Sequence, residues 1–526
     1  MSITFLPVGP RTLLVELSDL DQTLVLFDAL NADPVPGVAE VIPAARTLMV
    51  RTHVGTAADG ALAAAILSRR PPPGTVPAEN TAAIVELPVI YDGDDLDDVS
   101  RLMNLPVADV IAAHQATTWQ VAFCGFAPGF AYMTCDDPRF DVARRSSPRT
   151  RIPPGSVALG GRFSGIYPLE APGGWQLIGR TDVPMFDLSR TPPALLAPGQ
   201  RVRFVKRPAS VAISTRMDKT PTPPAHGMTV LSTAFPITIQ DEGRPGQGGQ
   251  GVSAAGALDT GSLRRANRRV GNVSAAAVME ITLGPVRLAV DEPVTLALEG
   301  AADRAEIEAD GRSIPVDLSR PFALDPGDVL ILPPPSRGMR TYLAVRGGFD
   351  AAPVMGSASR DTLAHIGPEP LVNGSVLSFA HLPAGAVDPT PAPVRILPAA
   401  GDLVDIAVTL GPRTNWFTPE TLASFLAQEW TVSPLSSRVG MRLEGTEPLT
   451  RETRELPSEG TETGAIQIPH SGQPVFFLAD HPLTGGYPVI ANVLPDELDR
   501  AAQIPPGARI RFTAARPFAP IEPETA

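Results

Sequence analysis

Short runs of alternating apolar and polar residues, punctuated by glycine and proline, dominate this chain. Such period-two patterning predicts strands whose alternate side chains face a core. Residues 3–17 (ITFLPVGPRTLLVEL) read as strand, turn, strand, and 37–52 (GVAEVIPAARTLMVRT) as two more strands. Between and after them, 21–33 (DQTLVLFDALNAD) and 58–70 (ADGALAAAILSRR) carry helical spacing. Residues 1–80 are therefore expected to form a small α+β domain, ended by prolines 71–73. From residue 81 to 206 the texture changes. LPVIYDG (87–93) predicts a strand, DDLDDVSRLMN (94–104) and VADVIAAHQATT (107–118) predict helices, and PGQRVRFV (198–205) closes the unit as a strand. Residues 207–227 read as a linker by composition. Two further β-rich stretches follow, 228–390 and 391–526, divided near the proline-rich 381–393.

The pattern echoes itself. PGQRVRF (198–204) matches PGARIRF (506–512), and PGDVLIL (326–332) has the same shape. Upstream of the first two, APGGWQLIG (171–179) parallels LTGGYPVIA (483–491). A turn, an alternating strand and the end of a unit recur three times, which predicts three related β units. Many short strands with Gly/Pro turns point to barrels or sandwiches, so the class is mainly β with a small α+β N-terminal domain.

Composition narrows the function. The 526 residues include 59 prolines, well above the usual ~5%, which disfavours long helices. The net charge of −13 argues against nucleic acid or an anionic membrane as a partner. No apolar run approaches a membrane span, and no signal peptide is visible at the start. Two cysteines in so long a chain fit a reducing cytoplasm. Lysine is nearly absent: only Lys206 and Lys219 occur, against 41 arginines. A Gly-Lys-Ser/Thr phosphate loop and a biotin-acceptor lysine are both ruled out, and a catalytic lysine is disfavoured.

The candidate chemistry lies in clusters, since no HExxH, CxxC, GxSxG or GxGxxG after a strand is present. The densest stretch runs from Cys124 to Thr181. Glycine there lets backbone approach a ligand, and arginine offers a fork for carboxylate or phosphate. Gly125, Phe126, Pro128, Gly129, Phe130, Ser156, Tyr167 and Trp175 are its candidate binding residues. His114, eleven residues before Gly125, is a candidate proton-transfer group; the plainer alternative is a satisfied helix-end histidine. Arg149 and Arg151 alternate on an expected strand and would share one face, calling for an anion or carboxylates between them. A second glycine cluster (239–259) holds Gln240, Asp241, Arg244 and Asp259, with Asp241 and Arg244 as catalytic candidates. Asn267 and Glu280 follow; arginines 264, 265, 268 and 269 read as a solvated face. In the last unit, Arg438, Arg442, Gln467, Thr484, Gly485, Gly486 and Tyr487 are binding candidates. The acidic YDGDDLDD lacks calcium-loop spacing, so no metal site is expected.

These motifs carry a resemblance. GFAPGFAYM, SPRTRIPPGSVALGGRFSGIYPLEAPGGWQLIGRT and His114 resemble the B subunit of the bacterial ATP-dependent 5-oxoprolinases, the Kip-inhibitor type. TIQDEGRPGQGGQGVSAAGALD, ANRRVGN, EITLGP, SSRVGMRLEG, GAIQIPHSGQP and LTGGYPVIANV resemble the C subunit. The order is B then C, over nearly the whole chain. The same modules are similar to the carboxyltransferase part of urea carboxylase and urea amidolyase (the allophanate hydrolase subunit 1 and 2 family). Departures are modest: Met133-Thr134-Cys135 replaces a usual Leu-Gly pair, and Met279 precedes Glu280.

The resemblance implies three cyclophilin-like β-barrel units, one in the B-like part and two in the C-like part, and a site where the parts meet. It implies ATP-dependent opening of the 5-oxo-L-proline lactam to glutamate, with ATP, accompanying Mg2+, and a separate 5-oxoprolinase A subunit (LamB/YcsF-type). Arginines and glycine-turn N–H groups would hold the anionic charge, and His114 would move the proton. A rival reading is transfer of a carboxyl group from biotin, carried on another chain, to urea or a related amide. A third, from another class, is a regulatory binder that inhibits a histidine kinase. A small amide or lactam is the expected ligand, and the resemblance leaves room for a homo-oligomer.

Overall fold

A computed structural model describes residues 3–72, 74–75, 83–208 and 226–524. Most of the expected linker, with Lys219, lies outside the described residues.

The N-terminal domain is a four-stranded antiparallel sheet in the order Thr4–Gly9, Thr12–Glu16, Thr47–Thr52, Val38–Pro43. Two helices, Leu20–Ala32 and Gly60–Leu67, pack their apolar residues on it. Asp19 starts the first helix by accepting from the Gln22 N–H at 2.9 Å, and Asp59 caps the second. Each cap satisfies an amide with no partner inside the helix.

The next unit is a seven-stranded sheet curled on itself. Its order is Gln176–Arg180, Ser156–Gly160, Phe163–Ile166, Ala131–Thr134, Trp119–Cys124, Arg201–Lys206, Val85–Val89. Two backbone hydrogen bonds of 2.9 Å between Ile90 and Arg180 tie the outer edges, so the barrel is nearly closed. The middle unit wraps a six-stranded and a five-stranded sheet around one apolar core. The last is a closed seven-stranded barrel, Leu403–Leu410, Val489–Val493, Ala465–Gln467, Val475–Phe477, Gly440–Glu444, Trp430–Val432, Arg509–Ala514, whose final strand returns to the first. The chain is thus mainly β, as its patterning predicts.

The echo has a structural meaning. Arg201–Lys206 pairs in parallel with Val85–Val89, the opening strand of its unit. Arg509–Ala514 does the same with Leu403–Leu410. Each also pairs antiparallel with a strand that begins at a buried tryptophan, Trp119 or Trp430. Both tryptophans donate to the carbonyl five residues earlier, His114 at 3.4 Å and Phe425 at 3.0 Å. Those two residues stack on equivalent phenylalanines, His114 on Phe204 and Phe425 on Phe512. The third echo differs: Val329–Leu332 pairs antiparallel with its neighbours and closes no barrel.

The middle and last units are joined through a buried guanidinium. Arg438 donates from Nε and Nη2 to Asp480 at 2.9 and 3.0 Å, from Nη1 to Glu280, and from Nη2 to the Gly256 carbonyl at 2.6 Å. Burial opposes its charge, yet Asp480 and Glu280 outweigh that and raise its pKa. Removing one partner of such a group leaves charge stranded in low dielectric. Arg438→Met is therefore expected to cost about 3–5 kcal/mol in urea unfolding. Arg442→Met, at an exposed strand position, should stay within about 0.5 kcal/mol of wild type.

Candidate functional site

The glycine-rich loop 124–130 is a seam between the first β unit and the C-terminal half. Phe126 sits at φ 65°, a left-handed conformation, and its N–H donates to Thr484 Oγ1 at 3.0 Å. Gly125 is required by contact: a Cβ there would lie 2.3 Å from the same oxygen. The Gly129 N–H donates to the Gln250 carbonyl at 2.9 Å, and the Ala194 N–H to the Gln250 side chain at 3.2 Å. Behind the loop, Phe130, Tyr132, Tyr167 and Trp175 pack edge to face with Phe126 at the front. Pro128 is buried, and the Ser156 hydroxyl donates to the Pro153 carbonyl at 2.7 Å. Gly125, Phe126 and Thr484, predicted from opposite ends of the chain, do meet.

Beside this seam lies a cleft of about 200 Å³ between the N-terminal domain and the last barrel. Glu16, Arg46 and Thr47 line one side; Arg413, Asn415, Trp416 and residues 454–459 line the other. Glu459 belongs to a two-residue strand, Glu459–Gly460, paired with Thr484–Gly485. Gly460 lets that ribbon press on the N-terminal sheet, since a Cβ would come 2.8 Å from the Met49 Cβ. The Ala45 N–H donates to the Ser458 carbonyl at 3.0 Å. Arg413 donates from Nε to Glu459 Oε2 and from Nη1 to Glu16 Oε1, both at 2.7 Å. Glu459 Oε1 is buried without a hydrogen-bond partner. Burial pushes the Glu459 carboxyl up to about 7, against the pull of Arg413 and with a push from Glu16. A carboxyl that populates both protonation states near neutrality, lining a cleft, suits proton transfer.

Several expected site residues are structural instead. His114 is fully buried, stacked 4.3 Å from Phe204 and contacting Trp119 and Phe140. Its Nδ1 shares a 2.8 Å hydrogen bond with Tyr91, and burial pushes it down to about 3. It fills the core position that Phe425 fills in the repeat. Arg149 and Arg151 lie on one strand, Arg149–Ile152, but have no common anion. Arg149 makes a two-pronged bond to Asp95, both arms 2.8 Å, and Arg145 adds a third at 2.6 Å. Burial opposes the Asp95 charge, but Arg149 and the Leu177 N–H overcome it and lower its pKa. Arg151 is exposed and pairs with Glu170 at 2.6 Å.

In the second cluster, Asp241 is a loop anchor. It accepts from the Ala358 and Gly243 N–H groups at 2.7 and 2.8 Å and from the Ser357 and Ser359 hydroxyls. Arg244 is buried; it donates to the Val354 carbonyl at 3.3 Å and to that of Ser359, while its Nη1 has no partner. Gln240 donates to Thr238 and the Arg360 carbonyl. Asp259 caps the helix Thr260–Arg269 through the Ser262 N–H at 2.8 Å. Asn267 donates to the Ala276 carbonyl at 2.7 Å. Glu280 accepts from Tyr342 at 2.7 Å besides Arg438. Arg269, expected on a solvated face, is buried against Glu299 at 3.1 Å. Gln467 Nε2 is buried and unpartnered, against half-buried Gly485, while Gly486 and Tyr487 are exposed. Arg442 is exposed, apart from the buried Arg438. Among the described residues, no group of three or more His, Cys, Asp or Glu side chains is placed to hold a metal ion.

Glu16, Arg46, Arg413, Trp416 and Glu459 escaped sequence reading. One signal was available. The ribbon Glu459–Gly460 with Thr484–Gly485 is the counterpart of Arg149–Ile152 with Ala171–Gly173, so the echo could have been extended upstream to ELPSEG.

This fold, with two barrel-bearing halves sharing a seam, defines the class. The chain belongs to the carboxyltransferase-domain family: residues 3–196 match its subdomains C and D, and residues 250–514 its subdomains A and B. It is 36% identical over 287 residues to the 5-oxoprolinase C subunit of Escherichia coli (strain K12), covering 54% of this chain and 90% of that protein. It is 41% identical over 136 residues to the 5-oxoprolinase B subunit of Escherichia coli O157:H7, covering 25% of this chain and 62% of that protein. Urea amidolyase of Lachancea kluyveri is 31% identical over 312 residues, which span 54% of this chain and 16% of that protein. The crystal structure of TTHA0988 superposes with a TM-score of 0.80 at 32% identity, covering 96% of this chain and 99% of that one.

Two outcomes are expected. His114→Phe, copying Phe425, should fold and lose part of the acid-side pH dependence of stability. A depressed imidazole stabilises the fold above its ordinary 6.5 and loses that contribution as pH falls towards about 3. Protonation of His114 near pH 6.5, read by 15N NMR, would contradict its core role. Gly125→Ala should cost about 1–3 kcal/mol through overlap with Thr484, and Thr484→Ala in the same chain should recover part of that loss in thermal unfolding.

Proposed function

We propose that this chain is the fused B and C component of an ATP-dependent 5-oxoprolinase, opening a five-membered lactam to glutamate together with a separate A subunit. The observation that carries the reading is the cleft itself. Elements similar to the two subunits are continuous in one chain and enclose a buried carboxyl, Glu459, on a guanidinium, Arg413, that also reaches Glu16. The relatives named as the C and B subunits of 5-oxoprolinase support the assignment.

A lactam is a stable amide, so its hydrolysis must be driven, and ATP supplies that drive in this reading. The paired candidate arginines offer no free cluster for a triphosphate. Arg149, Arg413 and Arg438 are already neutralised by carboxylates. Nucleotide binding is accordingly assigned to the separate A subunit. This chain's part is to hold the lactam in the cleft, exclude bulk water and move protons.

The second reading, carboxyl transfer to urea or a related amide, is favoured by the family match itself and by the similarity to urea amidolyase. It needs the same amide recognition, with biotin arriving on another chain. The purified chain, with and without the A subunit, should release glutamate from 5-oxoproline only when both proteins and ATP are present. No release with an authentic A subunit, together with carboxylation of urea when a biotin carrier is added, would replace the first reading with the second.

A further inference from the structure

We propose that Glu459 is the proton-transfer residue of the seam cleft, that Arg413 positions it, and that Arg46 receives an anionic group of the ligand. The proposal deepens the oxoprolinase reading and rests on it for the bond that breaks.

Within hydrogen-bond reach of Arg413 the charges do not balance without a proton. Arg413 is one cation shared by two carboxylates, Glu459 and Glu16. Two negative charges on one positive charge leave an excess that a proton can settle. The proton belongs on the carboxyl that water reaches least. The Glu459 side chain is 1% exposed and that of Glu16 is 27% exposed, so Glu459 is the holder. Its ordinary value of 4.5, pushed up to about 7, agrees with that geometry.

The carboxyl is also incompletely bonded. Glu459 Oε2 is tied to Arg413, whereas Oε1 is buried with no partner. A buried polar atom left unpaired is costly, and a ligand N–H or C=O in the cleft would complete it. Protonated Oε1 donates to an amide; deprotonated, it accepts from one.

The remaining charges of the cleft separate into paired and available. Arg454 pairs with Glu452 and lies 4.4 Å over the Trp416 ring. Glu455 completes the rim. Arg46 is exposed in the cleft wall and donates from Nε to the Leu17 carbonyl at 3.3 Å. Among the described residues no carboxylate lies within ion-pair distance of it. A cleft of about 200 Å³ has room for a small ligand. A small amide or lactam bearing one carboxylate matches the cleft in size, charge and hydrogen bonding.

The step balances without a redox partner. Water's oxygen bonds to the amide carbon and the C–N bond breaks, while ATP, with a second water, leaves as ADP and phosphate. Glu459 gives its proton to the leaving nitrogen, and the water gives one back to Glu459.

The test uses the full chain with the A subunit and a binding arm on the full chain alone. Glu459→Gln should lower kcat at least ~100-fold with KM within about threefold, and Glu459→Asp should restore part of it. Arg413→Gln should move the midpoint of the kcat pH profile upward, because the cation that favours the carboxylate is gone. Arg46→Ala should raise KM about tenfold or more and weaken binding of 5-oxoproline, read by calorimetry, without weakening that of urea. If wild type binds 5-oxoproline through Arg46, with a pH dependence near 7 that Glu459→Gln abolishes, but never opens it, the site stands and the oxoprolinase reading falls. If wild type opens the lactam and Glu459→Gln and Arg46→Ala leave kcat, KM and binding unchanged, the site is overturned and the oxoprolinase reading stands.

Discussion

A buried charge must be met by opposite charge or by hydrogen bonds, and this molecule places arginine–carboxylate groups where its elements join. Arg413 of the last barrel reaches Glu16 of the N-terminal domain and Glu459 of its own ribbon. Arg438 reaches Glu280 of the middle unit and Asp480 of the last. Arg149 and Arg145 converge on Asp95 at the entrance of the helix Leu96–Met103. Each arrangement fixes one element against another, because sliding either would strand a charge at a cost of several kcal/mol. Arginine suits the task better than lysine: its planar fork serves two carboxylates at once. A chain with 41 arginines and two lysines has the residue that such joints require.

The same joints create the cleft. Gly460 against Met49 and Gly125 against Thr484 let backbones approach where side chains would collide. That approach buries Glu459 and leaves one of its oxygens unpaired. A rigid junction thereby carries a proton-holding group, and the N-terminal domain, which lies far upstream in sequence, becomes one wall of the site.

Much of this architecture is legible in the residues and some of it is not. Alternation and Gly/Pro punctuation announce the β units, and PGQRVRF with PGARIRF marks the two strands that return to the start of their barrels. The loop around Gly125 is visible because close contact demands glycine. His114 misleads, since nothing local tells that Trp119, Phe140 and Phe204 enclose it. Arg149 and Arg151 share a face as their spacing predicts, yet Asp95 and Glu170 arrive from elsewhere to answer their charge. Glu459 is hidden for the opposite reason. It stands in a short polar stretch, its partner Arg413 lies 46 residues upstream, and its cleft forms only where the N-terminal domain meets the last barrel.

Burial at the seam should hold a proton on Glu459 near neutrality. The most direct measurement is the 13Cδ chemical shift of Glu459 against pH in the glutamate-labelled full chain, assigned by its absence in Glu459→Gln. A midpoint near 7 is expected, well above the ordinary 4.5. A midpoint at the ordinary value would contradict it and return the cleft to a structural role.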